Sequence, residues 1–213
     1  MERRPGRDRG ADPRSIRSRA ALSRAILEVA AEQPIDQVTI TALCERAGVT
    51  RRTFYNYAGS PVELLKQALT AELDEIGDQM RAESAQSDVD LSVAVRHSLG
   101  AILEHVHRNG SIYRDTVTGR VHPELYVLLG DHFFDAVRHS ILTSVRQIPE
   151  IDGVRAGSTR YLAAIDLHAS FVAHAYAGVI EKALDNPAVS NDFVLDIVVA
   201  TLPDWMLNKA ERP

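Results

Sequence analysis

The stretch Val38–Tyr57, VTITALCERAGVTRRTFYNY, decides how the rest of the chain is read. Ile40, Leu43 and Ala47 recur at i, i+3 and i+7, the spacing of one inward stripe on a helix. Thr39 stands just before that stripe, where a hydroxyl can accept from an amide of the first helical turn. Gly48 follows the last apolar position, where a chain leaving a helix often needs the positive φ that glycine adopts at least cost. Val49 is expected to turn back into the core, Thr50 to cap a second helix, and Phe54 to anchor that helix from within. Cys44 falls where two crossing helices come close, so a small side chain fits there. Arg51, Arg52, Thr53, Tyr55 and Tyr57 are then left on the solvent side.

A pair of short helices joined in this way buries the first and presents the second, the shape that enters the major groove of duplex DNA. Arginine reads guanine O6 and N7 through two hydrogen bonds and pairs equally well with phosphate. Arg51 and Arg52 in the first turn of the exposed helix suit that task, and Thr39, Thr50, Thr53, Tyr55 and Tyr57 can hold the DNA backbone. The plainer alternative is a three-helix core with a solvated basic face.

Outward from this stretch, a helix is expected from Ser15 to about Gln33, with Leu22, Ala25, Ile26, Val29 and Ala30 inward, ending because Pro34 disfavours helix in the residue before it. Residues 1–14 are rich in Arg, Gly, Pro and Asp and read as a disordered basic arm. On the other side, Ser60-Pro61-Val62-Glu63 signals a helix start: Ser60 caps, Pro61 takes the first helical position, and Glu63 closes a capping box. Helices are expected over about 61–84, 89–108, 111–117, 123–147 and 158–184, with Ile148–Gly157 as a loop. Ser190 caps a last helix that Pro203 bends or ends before Trp205. The fold expected is all-α, with a helix-turn-helix domain at 15–60 and a larger helical domain at 61–213.

The 213 residues carry a net charge of −5, unevenly spread. Residues 1–60 hold 11 Arg or Lys against 7 Asp or Glu, a balance of +4, while 61–213 hold 13 against 22, a balance of −9. A basic head on an acidic body fits a protein whose head alone touches DNA. No stretch approaches the ~20 apolar residues of a membrane span, and the arginine-rich start lacks the apolar middle of a signal peptide. A cytoplasmic location and no membrane partner are therefore expected. The single cysteine excludes an internal disulfide and is expected to serve packing.

The run Val38-Thr39-Ile40 through Leu43-Cys44-Glu45-Arg46-Ala47-Gly48-Val49-Thr50, then Thr53-Phe54-Tyr55-Asn56-Tyr57, resembles the N-terminal domain of TetR-type transcriptional regulators. The resemblance covers Leu22 to Leu69. It implies an all-helical homodimer, usually a repressor, that binds a double-stranded DNA operator and leaves it when a small-molecule effector enters the C-terminal domain. Two positions depart from the pattern. Ala58 stands where the family usually has a phenylalanine, and Pro61 where it has a phosphate-holding lysine, which removes a core anchor and a charge contact.

In the body, small residues gather on the last two helices: Ala169, Ala173, Ala175, Ala177 and Gly178, then Val198, Val199 and Ala200. They let helices approach closely and serve either a four-helix dimer interface or packing within one chain. Tyr113, Tyr126, Phe133, Phe134, Phe171, His174 and Tyr176 are the large or polar side chains that could face an effector cavity, although such a set also describes an ordinary core. All eight histidines lie in the body. Glu104 and His107 form the Glu-x-x-His spacing of di-iron bundles, but such a site needs a second copy, and none is present. No phosphate loop, nucleophile elbow or Cys/His cluster is found, so no cofactor, metal or catalytic residue is expected. The reading is a ligand-responsive TetR-like repressor, not an enzyme, released by a small hydrophobic or aromatic effector. Its rivals are a DNA-binding regulator without a ligand and a small-molecule-binding helical protein with weakened or lost DNA binding.

Overall fold

Helix start and stop signals are local, and the chain obeys most of them. The computed structural model describes residues 13–85, 91–143, 154–186 and 188–202. Among these, α1 is Pro13–Glu32, α2 Ile40–Ala47, α3 Arg51–Tyr55, α4 Pro61–Ala85, α5 Leu91–Arg108, α6 Gly110–Tyr113, α7 Pro123–Thr143, α8 Thr159–Asp185 and α9 Asn191–Thr201. A 3-10 turn at Ile35–Gln37 joins α1 to α2. The arm at residues 1–12, most of the loop at 148–157, and the chain from Pro203 through Trp205 lie outside the described residues. The chain divides between Leu69 and Thr70, within α4, into two compact units.

In the first unit, Leu22, Ala25, Ile26, Val29 and Ala30 of α1 are all buried, as their spacing predicts. Leu22, Ile26, Leu43, Phe54, Leu65 and Leu69 have essentially no exposed surface and form the unit's core. Ala58 is buried at the family's phenylalanine position, and Pro61 opens α4. The capping box there is shifted by one residue. Ser60 Oγ accepts from the Glu63 amide at 3.1 Å, but the Glu63 carboxylate accepts from the Gly59 amide at 2.8 Å, not from that of Ser60. Arg46 of α2 grips Glu32 of α1 through two bonds of 3.1 and 2.9 Å, and this holds the Glu32 carboxyl below its ordinary pKa.

In the second unit, α7 packs along α8, and α5 packs on α9. Ala169, Ala173 and Ala177, one stripe of α8 at i, i+4 and i+8, are fully buried. The small-residue group therefore splits: these three, with Val198, are spent inside the unit, while Ala175 and Ala200 are exposed. Arg120 forms two bonds with Glu181 of α8, at 3.0 and 3.2 Å, and Arg114 donates to the Leu184 carbonyl, so the 114–121 segment is fastened to the C-terminal end of α8.

Two expectations are corrected. The short helix expected to reach Val117 ends at Tyr113, because the Asp115 carboxylate accepts from the amides of Val117 and Thr118 at 2.7 and 2.9 Å and draws the backbone into a turn. Arg114 then pairs with Val121 in an isolated antiparallel bridge. Second, α8 is long and apolar enough, by length and composition, to cross a membrane, whereas the sequence led us to expect no such stretch. Its inner face is spent on packing within the unit, as in the core helix of a bundle.

Gly48 takes φ 65°, ψ 34°, and a Cβ built on it meets nothing within 4 Å. The cost of a side chain there is conformational alone. Gly48→Ala should therefore lower the unfolding free energy of the first unit by about 1–2 kcal/mol in denaturant titration; an unchanged midpoint would contradict this.

Candidate nucleic-acid interface

The exposed face of α3 is set by three anchors. Thr39 Oγ1 accepts from the Ala42 amide at 3.2 Å and starts α2. Gly48, left-handed, donates its amide to the Cys44 and Glu45 carbonyls and ends it. Thr50 Oγ1 then accepts from the Thr53 amide at 3.1 Å and starts α3 after a three-residue interval. With Phe54 fully buried, the helix cannot rotate about its axis without exposing that ring. Arg51, Arg52 and Tyr55 are consequently exposed, and Thr53 is half-buried.

The two arginines differ. The Arg51 guanidinium donates to Thr41 Oγ1 on α2, a partner that sequence reading missed, and so is aimed along the face. Arg52 has no intramolecular partner among the described residues. A guanidinium carries five N–H donors, so Arg51 keeps others for a base edge or phosphate. Thr39 spends a lone pair on its cap and keeps its O–H to donate. Thr50 and Thr53 are more committed, with their hydroxyl oxygens 2.9 Å apart.

Tyr57 corrects the sequence reading. It is half-buried, and its hydroxyl donates to the Ser15 carbonyl at 2.8 Å while the Ser15 hydroxyl, also 2.8 Å away, is left to donate back. Its own carbonyl accepts from Gln67 Nε2 at 3.0 Å. Tyr57 thus ties the end of the helix-turn-helix to α1 and α4, and its hydroxyl proton is already used.

The residues proposed from sequence for an effector cavity fall into three groups. Tyr113, Phe133 and Tyr176 are buried in the second unit, and Phe133 meets Tyr176 edge-on with ring centroids 5.4 Å apart. Tyr126 and Phe134 are half-buried. Phe171 is 72% exposed and faces no interior, while His174 is exposed, with Nδ1–H donating to the Ser170 carbonyl at 2.8 Å and Nε2 beside the buried Gly130 of α7. Phe171 lies on the side of α8 away from the alanine stripe. Glu104 and His107 are likewise exposed. His105 was not singled out, yet it is 3% exposed and bonded to the Tyr113 hydroxyl at 3.1 Å. Its place three residues after the buried Ile102 was the available signal.

Replacing both exposed arginines (Arg51→Ala with Arg52→Ala) should weaken operator binding at least about 30-fold, at ~1–3 kcal/mol per bidentate contact, and leave the melting temperature nearly unchanged. Tyr57→Phe should do the reverse, costing about 1 kcal/mol of stability with a smaller loss of DNA affinity. Gel-shift and thermal melts of the variants read both. Full affinity in the double arginine variant would refute this choice of DNA-facing surface.

Residues 22–68 match the family described as bacterial regulatory proteins, tetR family. Over 84 residues, 39% of this chain, the sequence is 32% identical to an uncharacterized HTH-type transcriptional regulator, YxbF, of Bacillus subtilis (strain 168), of which the match spans 22%. The fold is similar to that of RolR in complex with resorcinol, with a TM-score of 0.57, 20% identity, and coverage of 94% of this chain and 96% of the other. It is also similar to a TetR transcriptional regulator from Rhodococcus sp. RHA1, with a TM-score of 0.55, 18% identity, and coverage of 93% and 100%. That family's N-terminal segment is thus built here into a capped, arginine-faced helix-turn-helix, and the chain has the fold of such regulators over most of its length.

Proposed function

We propose that the protein is a ligand-responsive repressor that binds a near-palindromic DNA operator as a homodimer in the cytoplasm, with no catalytic step. The observation that carries this reading is the pair Arg51 and Arg52, held outward by Thr50 and Phe54. Two such helices, one per subunit, would enter successive major grooves roughly 34–36 Å apart.

The homodimer has its own support. The outer side of α8 carries Leu167 at 73% and Phe171 at 72% exposure, and α9 carries Phe193 and Ile197, each about half exposed. Large apolar side chains bared at helical spacing on two helices mark an interaction surface. A second copy placing the same two helices against them would close a four-helix interface with two-fold symmetry. This differs from the sequence expectation, because the fully buried alanines face inward and the large side chains on the opposite side supply the contact.

An effector of small hydrophobic or aromatic kind is supported by the fold shared with RolR, whose structure holds resorcinol. Such a ligand releases the operator only if it prefers a pose of the dimer that cannot span both half-sites. α4 is the covalent link between the two units, so that preference would be carried through it.

Leu167→Asp combined with Phe171→Asp tests the dimer. Sedimentation at micromolar concentration should show a dimer for the parent protein and a folded monomer for the variant, with operator affinity reduced by more than about tenfold because the second half-site is lost. A variant that remains dimeric would contradict this interface, and a monomeric parent would contradict the dimer itself.

A further inference from the structure

The interior of the second unit holds two tyrosine hydroxyls whose protons find no acceptor among the described residues. Tyr176 is 8% exposed, and its hydroxyl makes no hydrogen bond among the described residues. Native interiors rarely bury a hydroxyl unpaired, since the lost hydration is not replaced. Burial pushes the Tyr176 phenol up to about 12, so the group is a neutral donor throughout the physiological range.

The second is Tyr113, and the bond directions follow from Asn109. The Asn109 side-chain nitrogen donates to the His105 carbonyl at 3.0 Å, which fixes its amide group toward the ring. The same nitrogen lies 3.3 Å from His105 Nδ1, so Nδ1 must accept. The ring proton is then on Nε2 and is donated to the Tyr113 oxygen, 3.1 Å away. Burial holds the imidazole below its ordinary pKa and disfavours a second ring proton. Tyr113 therefore keeps its own O–H to give, and among the described residues no other partner receives it.

A run of ring and charge contacts leads from Tyr176 toward Tyr113. Tyr176 stands edge-on to Phe133, and Phe133 edge-on to His132 with centroids 5.9 Å apart. His132 is close enough to His105 to oppose its protonation. The charged groups around the His105 end are Glu72, whose carboxylate is 3.7 Å from Nδ1, Arg108, which acts on both Glu72 and His105, and Asp74, 3.6 Å from His132. None of them bonds the Tyr176 hydroxyl.

We propose that the second unit binds an uncharged, oxygen-bearing small molecule whose oxygen accepts the Tyr176 proton, with its apolar part against Phe133. The chemistry selects against anions. A carboxylate buried beside Tyr176 would meet a neutral donor and no counter-charge, and an unpaired buried charge costs far more than a neutral group. A wholly apolar ligand would leave the Tyr176 proton unspent. The inference rests on reading this unit as the effector domain and specifies what the effector must carry.

Calorimetric titration of the full chain near neutral pH with acetophenone, phenol, benzoate and toluene tests it, alongside Tyr176→Phe. Acetophenone and phenol should bind saturably to the parent, with benzoate and toluene weaker by at least about tenfold. The variant should lose about tenfold or more for the first two, consistent with one lost hydrogen bond. Its unliganded melting temperature should stay the same or rise, since the hydroxyl bonds nothing in the protein. Three results would each overturn the proposal: no saturable binding of either oxygen-bearing probe, equal binding by the variant, or a lower melting temperature for the unliganded variant, which would mark the hydroxyl as held by structural water. Operator binding measured on the same samples separates this from the regulator reading. A parent that binds acetophenone but no DNA loses the latter alone, and one that binds DNA but no probe loses the former alone.

Discussion

The turn between α2 and α3 depends on one backbone conformation that a side chain would resist. Gly48 at φ 65° ends α2 and sends the chain through Val49 and Thr50 into α3. No side chain crowds Gly48, so the constraint lies in the dihedral itself. From that turn follow the inward aim of Phe54, the outward aim of Arg51 and Arg52, and the position of Tyr57 over Ser15. The DNA-facing surface is thus a consequence of backbone geometry, with the arginines placed on a frame they do not build.

The second unit is organised by a different constraint, the close approach of α7 and α8. Ala169, Ala173 and Ala177 line a buried side of α8, and Leu167 and Phe171 are bared on another. One helix therefore supplies core on one face and bares large apolar side chains on the other. Tyr176 falls among the buried positions, and its hydroxyl has no partner among the described residues.

The helix boundaries and the helix-turn-helix were legible because their signals are local. Hydroxyl caps at Thr39, Thr50, Ser158 and Ser190, the glycine stop at Gly48 and the proline at Pro61 each act within four residues. What was not legible depends on partners distant in the chain. Tyr57 read as a DNA-facing residue because its partner, Ser15, is 42 residues away. Phe171 read as a cavity residue because helical spacing gives a face but not which face meets a neighbour. The Arg51–Thr41 bond could not be inferred, since it crosses from one short helix to the next. The helix ending at Tyr113 was overrun because Asp115 was not weighed as a turn-former.

The central claim is that two copies of the Arg51–Arg52 face read one symmetric DNA site. Selection of bound sequences from a random duplex pool by the purified protein, at fixed salt, addresses it most directly, because salt alone shifts sequence-blind binding by orders of magnitude. The account predicts recovery of a near-palindrome whose half-sites are centred about one helical turn apart. Binding that is salt-sensitive but recovers no common sequence would contradict it, and would move attention to the second unit.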